Sequence, residues 1–224
     1  MVFITGDTHG QIDIDKFIPS NFPQGSTLSK NDYMIICGDF GAIWDGGEKD
    51  SRTLGWWEGE PYTVLFVDGN HENHKLLNSY PIEIWNGGKI HRIRPNIIHL
   101  MRGQVFTIEN KKFFTMGGAE SIDKYLRKKD ISWWEEELPS EEEYMEGFNN
   151  LQLHNDSVDY IIAHCAPDSI QSLINPTYMH NRLTNYLEIL CNSVKFKQFY
   201  CGHYHFDKSF GKYRILYDDI VEVE

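Results

Sequence analysis

The sequence has few cysteines and no Cys-x-x-Cys pair. Its four cysteines, Cys37, Cys165, Cys191 and Cys201, are spread along 224 residues, and three of them lie in or beside apolar segments. This distribution is typical of reduced, mostly buried thiols, so we expect a cytoplasmic protein that folds without disulfides. Cys201 precedes His203 by two residues, but a Cys/His zinc site is not favoured because no second cysteine lies nearby.

Long apolar runs and clusters of positive charge are also missing. No segment approaches the roughly 18 apolar residues of a membrane span, and the amino terminus has no basic segment followed by an apolar one. We therefore expect neither export nor membrane anchoring. The net charge of −12 opposes stable binding to nucleic acid, which requires clustered Lys and Arg. Phosphorylated substrates are not excluded, because bound divalent cations would reverse the local field.

The remaining composition is that of one ordinary domain. Hydrophobic residues make up 41% of the chain, and no repeat or linker divides it, so a single domain over residues 1–224 is expected. Apolar runs predict strands at residues 2–5, 33–37, 62–67, 160–163, 197–201, 212–217 and 220–223, with helices at 50–58, 73–79 and 181–193. Residues 96–101, 104–109 and 112–116 predict a β-meander. This order of elements indicates an α/β fold.

Two Ser-x-x-Glu patterns predict helix starts. Ser132 with Glu135, and Ser140 with Glu143, fit the capping box, in which the hydroxyl and carboxylate satisfy free amides. The acidic residues at 135–137 and 141–143 are then expected on solvated helix faces.

Metal-ligating residue types follow the apolar strands. Because strand ends in an α/β sheet meet in a crevice, these side chains are expected to converge. Seven oxygen and nitrogen donors are more ligands than one tetrahedral zinc ion takes, and they fit two metal ions that share a ligand. A carboxylate such as Asp39 is the natural bridge, and two cations about 3.5 to 4 Å apart can hold a hydroxide and polarise a phosphoryl oxygen. The candidate donors are Asp7, His9, Asp39, Asn70, His164, His203 and His205.

The order of these motifs resembles the calcineurin-like metallophosphoesterase family. The matching segments are Gly6 to Gly10, Gly38-Asp39, Gly69 to Glu72, His164, and Gly202 to His205. The resemblance implies two mixed β-sheets packed as a sandwich and flanked by helices, in four α/β/β/α layers. It also implies one ion held by Asp7, His9, Asp39 and His205, a second held by Asp39, Asn70, His164 and His203, and His71 as the group that contacts phosphoryl oxygen and assists the leaving oxygen.

One motif departs from the family pattern. The carboxylate and arginine that often follow the second motif are replaced by Ala42 and Ile43, which argues against a Ser/Thr protein phosphatase. Asp45 or Asp68 is a candidate to orient His71 instead, and a surface or turn position is the alternative for each.

Residues 86–134 lie outside the motifs. Lys124, Arg127 and Lys128 have spacings that share a helical face. One hypothesis is that Lys124 and Arg127 bind substrate phosphate beside the metal cleft, with Trp133 or Trp134 forming an aromatic wall for a base. The alternative is a solvated basic helix beside core tryptophans.

The expected function is hydrolysis of phosphate esters by attack of a metal-bridging hydroxide. Expected substrates are small phosphomonoesters, nucleotides or phosphodiesters, with Asp39 and His71 as the catalytic residues. Manganese is the metal expected first, and iron, zinc, cobalt or nickel also suit these donors. The alternatives are a non-catalytic metal-binding scaffold of the same fold or a protein phosphatase. The sequence does not indicate an oligomeric state.

Overall fold

The computed structural model describes residues 1–223, and within them thirteen strands form two mixed sheets. The first seven strands to be numbered are β1 (Val2–Thr5), β2 (Tyr33–Cys37), β3 (Thr63–Val67), β4 (Ile82–Trp85), β5 (Gly88–Arg94), β6 (Ile97–Leu100) and β7 (Gln104–Ile108). They are followed by β8 (Lys111–Met116), β9 (Tyr160–Ala163), β10 (Gln198–Cys201), β11 (Lys208–Phe210), β12 (Tyr213–Ile215) and β13 (Val221–Glu222). The α-helices are α1 (Glu48–Gly59), α2 (His74–Leu77), α3 (Glu141–Leu153), α4 (Asp168–Ile174) and α5 (Arg182–Ser193).

The first sheet has seven strands in the order β13-β1-β2-β3-β6-β5-β4, and the second has six in the order β11-β12-β10-β9-β8-β7. Strands β1, β2, β3 and β6 run parallel to one another, as do β8, β9, β10 and β12. Antiparallel strands complete each sheet, for example β13 on β1 and β7 on β8. Both sheets are therefore mixed, as expected.

The central strands are apolar throughout because both of their faces are covered. In β2, Ile35 packs between the two sheets, whereas Met34 and Ile36 pack outward against the cluster that contains Trp57 of α1. The second sheet is covered on its outer face by α5, which contributes Leu187 among others. Side chains that alternate between two buried faces produce an uninterrupted apolar run. The result is the four-layer α/β/β/α arrangement, which confirms the predicted fold class.

Some of the predicted elements differ from the structure. The predicted β-meander is wrong, because β6 pairs with β3 and β5 in the first sheet whereas β7 pairs with β8 in the second. Strands β4, β5 and β11 and helix α4 were not predicted. The Ser140–Glu143 capping box is present at α3. The one predicted at Ser132 is wrong, because the Ser132 hydroxyl accepts from the backbone N–H of Lys128 at 2.9 Å and residues 135–137 form only a 3₁₀ turn.

The cysteine prediction is confirmed, since all four thiols are free and buried. None of the helices within residues 1–223 is long and apolar enough to cross a membrane.

Candidate metal centre

Donor side chains from both sheets meet where the parallel strands end. Asp7 and His9 follow β1, and Asp39 follows β2. His164 follows β9, and His205 lies in the turn after β10. All seven of the predicted donors are at strand ends of this kind, the two others being Asn70 after β3 and His203 after β10. The topology thus explains why residues from distant parts of the chain share one cleft.

One group of four donors has the spacing of a single-ion site. One ligand atom each from Asp7, His9, Asp39 and His205 lies within 4.8 Å of the others. His9 Nε2 is 3.3 Å from Asp39 Oδ2, and His205 Nε2 is 3.1 Å from Asp7 Oδ2. No cysteine belongs to this group, so within residues 1–223 the Cys201–His203 pair forms no such cluster.

Asp39 also faces a second group of donors. Its Oδ1 lies 3.3 Å from His164 Nε2, which is itself 3.3 Å from Asn70 Oδ1. The rings of His164 and His203 are 4.9 Å apart, centroid to centroid. One oxygen of Asp39 therefore points to His9 and the other to His164, which is the geometry that a bridging carboxylate needs.

The backbone is strained at this cleft. His9, Asp39, His203 and His205 adopt positive φ angles of 42°, 46°, 71° and 55°. Left-handed backbone is uncommon for residues other than glycine, costs on the order of 1 to 3 kcal/mol per residue, and concentrates at functional sites. Four of the seven predicted donors thus lie in conformations that stability alone does not favour.

The electrostatics of the cleft favour positive charge. Burial opposes protonation of His164, but the charge and hydrogen bond of Asp39 raise its pKa to about 10. Burial likewise opposes protonation of His9. The nearby carboxylates of Asp39 and Asp13 outweigh this effect and raise the pKa of His9 to about 9. Burial and the neighbouring His164 lower the pKa of His203 to about 4, so this imidazole is neutral. Two buried carboxylates surrounded by imidazoles are the donor set that manganese, iron or zinc accepts, so these residues fit divalent ions.

The comparison with protein families agrees with this geometry. The family model described as calcineurin-like phosphoesterase matches residues 1–207. The chain belongs to this family. A comparison with curated proteins finds no match. The family consists of metal-dependent phosphoesterases, and the buried Asp/His group is a candidate metal site.

His71 lies at the edge of the same cleft. Its backbone N–H donates to Asp39 Oδ1 at 2.8 Å, and its ring lies 5.3 Å from the ring of His9. Burial lowers its pKa, and the positive charge of Arg127 acts in the same direction. The predicted catalytic role of His71 is not tested by these contacts and stays a prediction.

Neither candidate for orienting His71 contacts its ring. Asp68 is buried and accepts from Arg102 Nε at 2.9 Å, and Asp45 accepts from the backbone N–H of Gly47 at 2.7 Å. The positions of the missing carboxylate and arginine are occupied by Ala42 and Ile43, each 1% exposed in the apolar core.

The basic segment after β8 is arranged differently from the prediction. Residues 124–126 form a single 3₁₀ turn, and Arg127 follows it in extended conformation, so there is no helical face. Lys124 pairs with Glu120 at 3.2 Å and lies 5.0 Å above the ring of Trp133. Trp134 is 1% exposed and packs against Trp44, so it cannot form an aromatic wall.

Arg127 reaches closer to the cleft than Lys124 does. Its Nη1 lies 3.5 Å from the Ser121 hydroxyl, which accepts from Asn70 Nδ2 at 3.3 Å. Arg127 is also bonded to Asp123 at 2.9 Å. Ser121 therefore links the Arg127 guanidinium to Asn70, a predicted metal ligand.

Several residues around the cleft were not predicted. Asp13 accepts from His9 Nδ1 at 2.6 Å, and the buried Glu72 accepts from the N–H of Gly69 at 2.6 Å. Glu137, expected on a solvated face, is instead fully buried and bonded to Ser121. The one sequence signal for Asp13 is its position four residues after His9. The three consecutive glutamates at residues 135–137 do not indicate that Glu137 is the buried one.

Proposed function

We propose that this protein is a binuclear metal-dependent phosphoesterase that hydrolyses small phosphate esters, nucleotides or phosphodiesters. The observation that carries the proposal is the division of Asp39 between two donor groups, with Oδ2 at 3.3 Å from His9 and Oδ1 at 3.3 Å from His164. A single-ion site has no need of this arrangement.

Bound divalent ions would supply polarisation of the phosphoryl oxygens and a lower pKa for the attacking water. The chain's own residues position and protonate the reactants. As water oxygen attacks phosphorus, the bond to the ester oxygen breaks, and His71 donates a proton to that oxygen while the proton lost by water leaves to solvent. Burial lowers the pKa of His71 in the free protein, and the negative charge of a bound phosphoryl group favours its protonated form.

Arg127 is the better of the two candidate phosphate ligands. Its Nε pairs with Asp123, but its Nη1 lies beside Ser121, and the group is close enough to His71 to lower the pKa of that histidine. Lys124 has a single charged nitrogen, which contacts Glu120 and the ring of Trp133. Planar guanidinium groups bind phosphate in a bidentate manner. The apolar side chains at Ala42 and Ile43 support a small substrate over a phosphoprotein, because they leave the arginine of the protein-phosphatase branch without a counterpart.

Hydrolysis of nitrophenyl phosphate monoester and diester by metal-stripped protein, before and after addition of manganese, tests the proposal. We expect turnover only with metal, with a loss of roughly 100-fold or more in His71→Ala and in Asp39→Asn. His154→Ala and Asp156→Asn, between α3 and the start of β9 and thus at the end of that strand opposite the cleft, are the matched controls. Folded protein that binds two ions and hydrolyses neither ester nor any nucleotide would indicate the scaffold alternative.

The substrate contact is tested separately. Replacing Lys124 and Arg127 together with Ala should raise KM for the preferred ester, and Arg127→Ala alone should account for most of the change. Lys128→Ala, in the same segment, is the control. An unchanged KM in the double variant would remove both residues from the substrate site.

A further inference from the structure

Two predicted ligands of the same ion are linked through a tyrosine of the carboxyl-terminal segment. Tyr217 donates from its hydroxyl to Asp13 Oδ1 at 2.9 Å. The other oxygen of Asp13 accepts from His9 Nδ1 at 2.6 Å. The ring of Tyr217 also stacks on that of His205, with centroids 4.9 Å apart and planes inclined by 23°. Tyr217 lies beyond residue 207, where the match to the family model ends.

The contact to Asp13 determines which nitrogen of His9 faces the ion. A carboxylate at Nδ1 keeps a proton there, so Nε2 is the nitrogen that would lose its proton and bind the ion. Nε2 is the atom that lies 3.3 Å from Asp39 Oδ2, on the side of the donor group. Carboxylates that bind metal-ligating histidines in this way fix the tautomer and ring orientation and strengthen the ligand.

His205 needs support because it is exposed. Its side chain is 51% exposed, whereas that of Asp7, its neighbour in the donor group, is fully buried. Packing therefore restricts this imidazole little, and the stacked ring of Tyr217 covers one of its faces. A stacked aromatic pair contributes about 0.5 to 1.5 kcal/mol beyond the area that it buries.

The backbone of Tyr217 is itself held in place. Asp207 accepts from the N–H groups of Tyr217, Asp218 and Asp219 at 2.8, 3.0 and 3.1 Å. The buried Lys16 donates to the carbonyl of Tyr217. It also donates to the carbonyl of Asp7, at 2.7 Å. The loop that presents Tyr217 is thereby fixed to the end of β1, the strand that provides Asp7 and His9.

We infer that Tyr217 is a positioning residue for one of the two ions, acting on His9 through Asp13 and on His205 by stacking. This inference rests on the metal centre of the proposed function and adds to it a dependence on the carboxyl-terminal segment. The other ion's donors, Asn70, His164 and His203, make no contact with Tyr217 in the part of the chain that the structure describes.

Manganese binding, measured by calorimetric titration and by metal analysis after equilibrium dialysis, tests the inference without relying on activity. We expect two binding events in the original protein. Tyr217→Phe, which keeps the ring and removes the hydroxyl, should weaken one event roughly 10-fold, and Tyr217→Leu should weaken the same event by up to roughly 100-fold. The second event should keep its affinity in both variants. Asp13→Ala should reproduce the effect of Tyr217→Phe or exceed it.

The controls are Tyr125→Phe at an exposed tyrosine and Asp15→Ala, two residues after Asp13 and exposed. Circular dichroism tests whether each variant is folded. If Tyr217→Leu does not fold, Tyr217→Phe and Asp13→Ala provide the test of the inference. Two ions bound with original affinity by both of these variants would overturn the inference and leave the proposed function intact. Absence of metal binding by the original protein would instead overturn the proposed function.

Discussion

The hydroxyl of Ser121 donates to Glu137 Oε1 at 3.0 Å, and the backbone N–H of Ser121 donates to Oε2 at 2.9 Å. Because its proton is used in this way, the hydroxyl can only accept from Asn70 Nδ2, at 3.3 Å. The amide of Asn70 is thus oriented with Oδ1 towards His164. A buried glutamate therefore orients the predicted oxygen ligand of the second ion through one serine.

Ser121→Ala should weaken binding of the ion that Asn70 holds. Without the hydroxyl, the Asn70 amide is free to rotate, and loss of such a partner costs about 10- to 100-fold in metal affinity. Calorimetric titration with manganese measures the change, with Ser26→Ala in an exposed 3₁₀ turn as the control. The affected event should be the one that Tyr217 variants leave unchanged. Equal weakening of both events, or of neither, would contradict the orientation of Asn70 by Ser121.

Glu137→Gln should change the dependence of stability on pH. Burial raises the pKa of Glu137, against the hydrogen bonds from Ser121. In the unfolded chain this carboxyl ionises near its ordinary pKa of about 4.5, so between that value and the raised pKa the folded state binds more protons. By linkage, Glu137 then makes the free energy of unfolding fall as pH rises through this window.

The glutamine variant lacks that contribution. Urea unfolding of metal-free protein at several pH values between 4.5 and 8 measures the difference in free energy between the original protein and Glu137→Gln. We expect the free energy of unfolding of Glu137→Gln to increase relative to that of the original protein as pH rises. Glu136→Gln, one residue earlier, serves as the control. A difference that does not vary with pH would show that Glu137 titrates alike in both states.

Prediction from sequence succeeded where a residue's location follows from its neighbours in the chain. Asp39 and His164 come directly after short apolar runs, and the ends of parallel strands converge in any α/β sheet. It failed where a contact joins distant segments without a local pattern. The Tyr217–Asp13 contact spans 204 residues, and Tyr217 lies between Leu216 and Asp218, where no local pattern indicates a contact with Asp13. For Glu137, three consecutive acidic residues resemble a solvated face, and only packing around Ser121 selects the one that is buried.

Asp68→Asn should destabilise the fold strongly. Asp68 and Arg102 are 2% and 6% exposed, and the carboxylate accepts from Arg102 Nε at 2.9 Å. Removing one charge of a buried pair leaves the other uncompensated, at a cost of about 3 to 5 kcal/mol. Glu83→Gln, which disrupts the exposed pair with Arg92, should cost less than about 1 kcal/mol. Urea unfolding of both variants at pH 7 provides the comparison, and similar losses in the two would contradict the buried pair's importance.

Alanine at two glycines should have opposite effects. A Cβ at Gly69 would lie 2.1 Å from Asp39 Oδ1 and 2.8 Å from His164 Nε2, so the Asp39 carboxylate must move. Such overpacking typically costs about 1 to 3 kcal/mol, and here it also displaces two predicted metal ligands.

Gly55 lies in α1, and a Cβ there has no neighbouring atom within 4 Å. Gly55→Ala should therefore stabilise the protein by roughly 0.5 to 1 kcal/mol, because glycine loses more backbone entropy in a helix than alanine does. Urea unfolding and manganese titration of the two variants give both readouts. We expect Gly55→Ala to bind two ions with unchanged affinity and Gly69→Ala to bind them more weakly. If Gly69→Ala retained both stability and metal affinity, the close contact of this backbone with Asp39 would not be needed to hold the Asp39 carboxylate, because the cleft could relax around a methyl group.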